Sequence, residues 1–354
     1  MRKLAAFPLL LVALFLAACG GGRGPDPNDA SFWQVTLRQA AVSPVLVNHA
    51  LAVGENRLQV GLLDREQVPI LRAQVRLQLY RLDGPAPVLV GEREARYVSL
   101  RLSFVEEHYH PPGTPPHTHG PGEGDRVVEV GESGVYVAQF AFDAPGTYGL
   151  AVSGTLPNGR RFGPLPYLFN VLPRTPEPMV GDPAPPSHQP TLRDVADVRE
   201  LSTDAEPIAD LYTLTVAEAV RSGRPTVIAF ATPAFCTSRT CGPVLQAAVK
   251  PLYERYRGQA NFIHIEPYRL REAREGIGLC PVPVFNREMA RLGQGLGRCP
   301  PLPADQLPPP QESWNLETEP WVFVLDRQGR VAAKFEGIVS AEEVEAALRA
   351  VLAR

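Results

Sequence analysis

The chain has 354 residues, 44% of them hydrophobic, enough for two domains with buried cores and some linker. Its 35 Lys and Arg are outweighed by 38 Asp and Glu, for a net charge of -3, so no excess of basic residues marks a nucleic-acid surface. The 38 prolines cluster instead of spreading, and so mark linkers and loops.

Arg2 and Lys3 are followed by an apolar run over residues 4–16, then Ala17, Ala18 and Cys19. A basic start, a short apolar core and small residues before a cut site read as an export signal. The run is shorter than the roughly 20 residues a membrane-spanning helix needs. Leu16-Ala17-Ala18-Cys19 resembles a bacterial lipoprotein signal. The resemblance implies a signal over 1–19, lipidation at Cys19, and an anchor on the extracytoplasmic side of a bacterial membrane, in the cell envelope. An ordinary secretory signal with an incidental cysteine is the alternative. Residues 20–43, rich in Gly, Pro and Asp at their start, read as a tether. Export leaves Cys236, Cys241, Cys280 and Cys299 in an oxidising space, where an even count favours disulfides over a reduced metal cluster.

Residues 44–172 carry β-type signals. Arg57-Leu58-Gln59-Val60-Gly61-Leu62 alternates, as does Gln74-Val75-Arg76-Leu77-Gln78-Leu79-Tyr80, which ends in Asp83-Gly84-Pro85. A run over 134–142 turns through Asp143-Ala144-Pro145-Gly146 into a strand over 147–152, and Asn158-Gly159 predicts a hairpin. Short alternating strands without a helical period predict a β-sandwich whose sheets each have one wet face. Through Ala52-Val53-Gly54-Glu55-Asn56-Arg57, Leu63-Asp64 and Ala144-Pro145-Gly146-Thr147-Tyr148, the stretch resembles the YtkA/FixH-like domains of bacterial envelope proteins. That likeness implies an all-β, immunoglobulin-like sandwich.

Residues 173–190 are Pro-rich and read as an extended linker and domain boundary. Beyond it, over 191–354, the period changes. Thr215-Val216-Ala217-Glu218 is a capping box opening a short helix that closes at Gly223. The run over 225–231 suits a doubly covered central strand. A helix is predicted over 244–256, and strands over 261–265, 321–325 and 330–335. Ser340-Ala341-Glu342-Glu343 caps a final helix. Between the second and third strands lies an insertion, about 267–312, without clear elements beyond a short helix over 287–292. It holds Cys280 and Cys299, which read as a structural disulfide. The order β-α-β then β-β-α is an α/β layer architecture.

In Phe230-Ala231-Thr232-Pro233-Ala234-Phe235-Cys236-Thr237-Ser238-Arg239-Thr240-Cys241-Gly242-Pro243, a buried strand delivers two cysteines to a helix start. Free N–H groups there favour a thiolate. Five positions along a regular helix rotate side chains roughly 140° apart, so a disulfide requires Cys236 to lie in the loop before the helix. Pro243 in the first helical turn fits that placement. Which cysteine is the nucleophile stays open, with Cys236 nearer the strand. Arg239 either lowers a thiol pKa or is a solvated loop residue.

Strand, cysteine pair, helix, strand, then Glu319-Pro320 before two hairpin strands and a last helix resembles the thioredoxin superfamily. The resemblance covers residues 181–354. It implies a thioredoxin-like fold with an insertion before the cis-proline strand. It also implies a cis Glu319–Pro320 bond, and a site of Cys236, Cys241 and Pro320 acting on thiols or disulfides of envelope proteins with no required cofactor. Thioredoxins separate their cysteines by two residues and this chain by four, so a static disulfide on a redox-inactive binding module is a competing reading.

Four of the seven histidines, His108, His110, His117 and His119, fall within EEHYHPPGTPPHTHG. Alternate spacing puts each pair on one side of an extended segment, and imidazoles suit copper or zinc. The bland alternative is a polar hairpin tip. A copper-handling protein using this loop and the thiols is a second functional reading. The ligand set of Sco-type copper proteins is incomplete, because four residues separate the cysteines and no histidine follows His264. His264, in a buried strand, reads as a core histidine. A peroxiredoxin-like reading from Thr232-Pro233 ranks last because the spacing to Cys236 is wrong.

Overall fold

A computed structural model of the protein describes residues 25–34, 41–108 and 124–353. The first seven strands are β1 (Ser43–Leu46), β2 (Gly54–Leu63), β3 (Gln74–Arg81), β4 (Val88–Glu106), β5 (Arg126–Phe142), β6 (Gly146–Thr155) and β7 (Arg161–Val171). All pair antiparallel, in the order β1-β2-β5-β4-β3-β6-β7. The alternation in β2, β3, β5 and β6 turns Leu58, Val60, Leu77, Leu79, Phe140, Phe142, Leu150 and Val152 into one shared core. Tyr136 is fully buried there because its hydroxyl donates to Ile70 O (2.8 Å) and accepts from Ala73 N–H (2.9 Å).

β4 and β5 are much longer than the sequence pattern suggests. The first part of β4 pairs with β3 and its second part, Arg96–Glu106, pairs with β5. One face of this outer part turns away from the β-core: Val98, Leu100, Val135 and Val137 belong to the core of the C-terminal half, while Tyr97 and Tyr136 on the other face stay with the β-core. The hairpin is therefore an arm reaching from one half onto the other.

The C-terminal half is built on a second sheet, β13-β12-β8-β9 in order. Its strands are β8 (Thr226–Phe230), β9 (Asn261–Ile265), β12 (Trp321–Leu325) and β13 (Val331–Glu336). β8 and β9 are parallel, while β12 runs antiparallel to both β8 and β13. Every residue of β8, β9 and β12 is buried. Val227, Ala229, Val322 and Val324 face one core, and Ile228, Phe230, Phe323 and Leu325 face another. That double coverage explains why these strands read as continuous apolar runs.

Helix α1 (Val216–Arg221) starts on the predicted capping box, with Thr215 Oγ1 accepting from Glu218 N–H (3.1 Å). The helix predicted over 244–256 is instead a composite. α2 (Cys241–Val244) leads into a π-helical stretch, Leu245–Val249, and then α3 (Lys250–Tyr256). Pro251 supplies the reason: it has no N–H to donate, and its ring crowds the carbonyl four residues back, so the turn ahead of it widens. α6 (Ala341–Leu352) buries Val344, Leu348 and Val351, one face at helical spacing, behind the Ser340 cap.

The insertion is more ordered than its sequence suggests. It carries α4 (Leu270–Arg274), a minimal hairpin of β10 (Gly278–Leu279) and β11 (Leu296–Gly297), and α5 (Arg287–Leu292). Phe285 from the insertion and Trp314 beyond it cover the Phe230/Phe323 face of the sheet. The proline-rich stretch after β7 also packs: Gly181 N–H donates to Val331 O at the start of β13 and Ala184 N–H to Gly329 O in the turn before it. No helix among the described residues is long and apolar enough to cross a membrane.

Candidate functional site

β8 ends at Phe230, and a tight loop follows. Cys236 N–H donates to Thr232 O (3.0 Å), Arg239 N–H donates to Cys236 O (3.1 Å), and Arg239 takes a left-handed φ of 57°. This loop brings Cys236 back over the first residue of α2, Cys241, whose backbone N–H donates to Cys236 Sγ (3.3 Å). Cys236 thus lies in the loop and Pro243 in the first turn, where its missing N–H has no consequence. Both sulfurs are free thiols, and both residues are buried.

The two thiols differ sharply. The Cys241 thiol, donating to Cys236, holds the Cys236 pKa down to about 6 against the opposing effect of burial. The Ser238 hydroxyl, 3.2 Å from Cys236 Sγ, and the N–H of Cys241 add to this. Burial pushes the Cys241 thiol well up, and its hydrogen bond to Cys236 retains its proton. Cys236 is therefore the thiolate at neutral pH and Cys241 its protonated neighbour. Arg239 takes no part in this: its guanidinium stacks on the Phe104 ring at 4.5 Å.

A carboxylate completes the site. A Glu319 oxygen and the two sulfurs all lie within 4.8 Å of one another. Burial raises Glu319 to about 7, while a hydrogen bond from Tyr268 Oη to Oε2 (2.7 Å) pulls the other way. Tyr268 is itself pushed up, by burial first and by Glu319 second. The Cys236, Cys241 and Glu319 donor atoms also stand close enough together to share a metal ion. The Glu319–Pro320 peptide is cis, in agreement with the sequence, and Pro320 is buried at the start of β12. A cavity of about 390 Å³ opens beside the site, lined by Thr237, Tyr268, Leu279, Phe285, Leu296 and Glu319 among others.

The arm forms the other wall. Ser103 N–H donates to Arg239 O and Val105 N–H to Pro233 O, each at 3.2 Å, so β4 adds main-chain bonds to the cysteine loop. Glu107 at the arm's end pairs with Arg274 of α4, both nearly buried, and Asp125 pairs with Arg199.

Cys280 and Cys299 are joined in a disulfide, Cα atoms 5.2 Å apart, next to the β10–β11 hairpin. His108 stands at the end of the arm, its N–H donating to Asp125 Oδ1 (2.7 Å). His110, His117 and His119, and the expected lipidation site Cys19, lie outside the described residues. His264 is a core histidine, held by Tyr212 Oη (2.6 Å) and Ala231 O (2.9 Å); burial lowers it to about 4 and keeps it neutral.

Sequence reasoning missed Glu319, Tyr268 and the arm residues Ser103 to Val105. A charged residue directly before Pro320 was the one local signal for Glu319. Tyr268 and the arm come from distant parts of the chain and carried none. Compared with protein-family models, curated proteins and solved structures, the chain matches none.

Proposed function

We propose that the protein is a thioredoxin-like thiol–disulfide oxidoreductase of the cell envelope, with Cys236 as nucleophile and Cys241 as resolving thiol. The observation that carries this reading is the pair itself: the loop folds Cys236 back onto the start of α2, where the Cys241 N–H donates to Cys236 Sγ (3.3 Å) and both cysteines are free. Hydrogen bonding lowers the Cys236 pKa to about 6 while burial raises that of Cys241, so the two thiols differ in reactivity. A static bridge needs no such difference between its thiols.

The fold supports the same reading. The β13-β12-β8-β9 order, the parallel β8 and β9 joined by a helical crossover, the cis-proline ahead of β12 and the closing helix α6 are each what a thioredoxin-like half would have. The seven-stranded half is consistent with an immunoglobulin-like sandwich. Export and a lipid anchor at Cys19 remain inferences from the first 19 residues.

The Cys236 thiolate attacks one sulfur of a substrate disulfide and forms a mixed disulfide, releasing the first substrate sulfur as a thiolate. Cys241, deprotonated, then attacks Cys236 Sγ and releases the second. The substrate gains two electrons and the pair becomes a disulfide, which a dithiol partner reduces again. Run in reverse, the oxidised pair installs a disulfide.

The test is the equilibrium reduction potential of the pair in a Cys19→Ser chain, set by glutathione or dithiothreitol buffers and read by mass-spectrometric thiol counting. A reversible couple between about -120 and -270 mV supports exchange catalysis. A potential below about -300 mV marks a structural bridge, and failure to form the bridge removes the reading.

A further inference from the structure

We infer that Glu319 is the proton acceptor for Cys241 in the resolving step, and that Tyr268 positions it. The inference rests on the oxidoreductase reading and goes beyond it by assigning a third reacting group.

Cys241 is fully buried and holds its proton, yet only its thiolate attacks Cys236 Sγ. Once Cys236 is bonded to substrate it is no longer a charged acceptor, so the Cys241 proton needs another destination. The titratable groups facing this spot are Cys236 from the loop, Glu319 from the segment before β12, and Tyr268 from the insertion. Tyr268 donates its own proton to Glu319 at 2.7 Å and is shifted upward, so it is no base at neutral pH. Glu319 remains, with an oxygen within 4.8 Å of both sulfurs. Burial has moved its carboxyl to about 7, which matches a base to neutral pH.

The step balances as follows. Glu319 carboxylate takes the proton from Cys241 Sγ. The Cys241 thiolate forms a bond to Cys236 Sγ, the Cys236–substrate sulfur bond breaks, and the electron pair leaves on the substrate sulfur. Protonated Glu319 then returns its proton to that departing thiolate. Tyr268 is a positioning residue: its hydrogen bond fixes the carboxylate and holds its pKa lower than burial alone would set it.

The experiment mixes the reduced Cys19→Ser chain with glutathione disulfide, quenches with acid and weighs the products. Mixed disulfide and intramolecular disulfide differ by one glutathione, so each step has its own time course. In the parent chain, resolution accelerates as pH rises through the Glu319 pKa, which falls below its value of about 7 in the reduced chain once the Cys236 charge is gone. In Glu319→Gln, mixed disulfide accumulates, resolution at neutral pH slows at least about 10-fold, and the midpoint moves to higher pH. Mixed-disulfide formation at the parent rate, together with an unchanged circular dichroism spectrum, reports that the variant is folded. Tyr268→Phe moves the midpoint up and leaves the rate at high pH intact. Resolution in Glu319→Gln with the parent rate and pH profile overturns the assignment. A parent chain that forms mixed disulfide but never an intramolecular bridge overturns the underlying reading instead.

Discussion

At neutral pH the charge difference between Cys236 and Cys241 arises from one shared hydrogen bond. Cys236 accepts it and Cys241 gives it. The rate of Cys236 alkylation by iodoacetamide should therefore titrate with a midpoint of about 6. Cys241→Ala, which removes the largest stabilising contact, should move that midpoint upward; an unchanged midpoint would place the cause elsewhere. Glu266 offers a second residue-scale prediction. It is buried, raised from 4.5 to about 8 by that burial, and accepts from Thr203 N–H (2.6 Å) and Oγ1 (2.7 Å). A carboxyl with a raised folded pKa binds its proton more tightly in the folded state. Its stabilisation is complete below about 4.5 and is lost as pH climbs through about 8. Glu266→Gln should flatten the fall in melting temperature across that window, and an equally steep fall in the variant would exclude Glu266 as its source.

The arm is the element that most changes how the site is understood. Its outer strand, β4, gives two main-chain hydrogen bonds to the cysteine loop and lays Phe104 under the Arg239 guanidinium. Arg239 stands at positive φ, a conformation that non-glycine residues adopt only when neighbours hold it. Phe104→Ala removes the stacking partner, worth about 0.5–2 kcal/mol for such a pair. The expected outcome is faster hydrogen exchange over residues 233–241 with the rest of the sheet unaffected. Unaltered exchange in the loop would mean that the main-chain bonds alone hold it.

At the scale of the molecule, the arm joins the core of the C-terminal half, and a buried charge network links the two halves. Arg57 of β2 donates to Glu343 through Nε (2.8 Å) and to Ile338 O (2.9 Å), and Arg96 of β4 reaches the same carboxylate at 2.7 Å. The Arg57 and Glu343 side chains are 7% and 12% exposed, so removing one leaves the other charged and poorly solvated. Glu343→Ala should destabilise the protein by on the order of 3 kcal/mol, read from urea unfolding. Because Val98, Leu100, Val135 and Val137 sit in the C-terminal core, the parent chain should unfold in a single transition. Two separated transitions would show that the halves fold independently.

Much of the second sheet was legible because its strands are buried on both faces, and its helices open on capping boxes that act within four residues. The cysteine pair was likewise visible as a local motif, the Cys280–Cys299 disulfide was expected from the even cysteine count, and the cis Glu319–Pro320 peptide was implied by the thioredoxin resemblance. β4 was not, because its inner part is mostly exposed and its outer part buries Val98 and Leu100 against the other half of the chain. Alternation cannot report a partner that lies more than 100 residues away, as Arg239 does from Ser103 and Phe104. The break at Pro251 was present in the sequence, yet the widened turn ahead of it depends on how the helix packs. By itself, then, the sequence determined the elements and the reactive residue types, since propensity, capping and periodicity are local. Tertiary structure alone decided which thiol carries the charge, which carboxylate stands beside it and which strand braces the loop, because hydrogen bonds and burial act between segments distant along the chain.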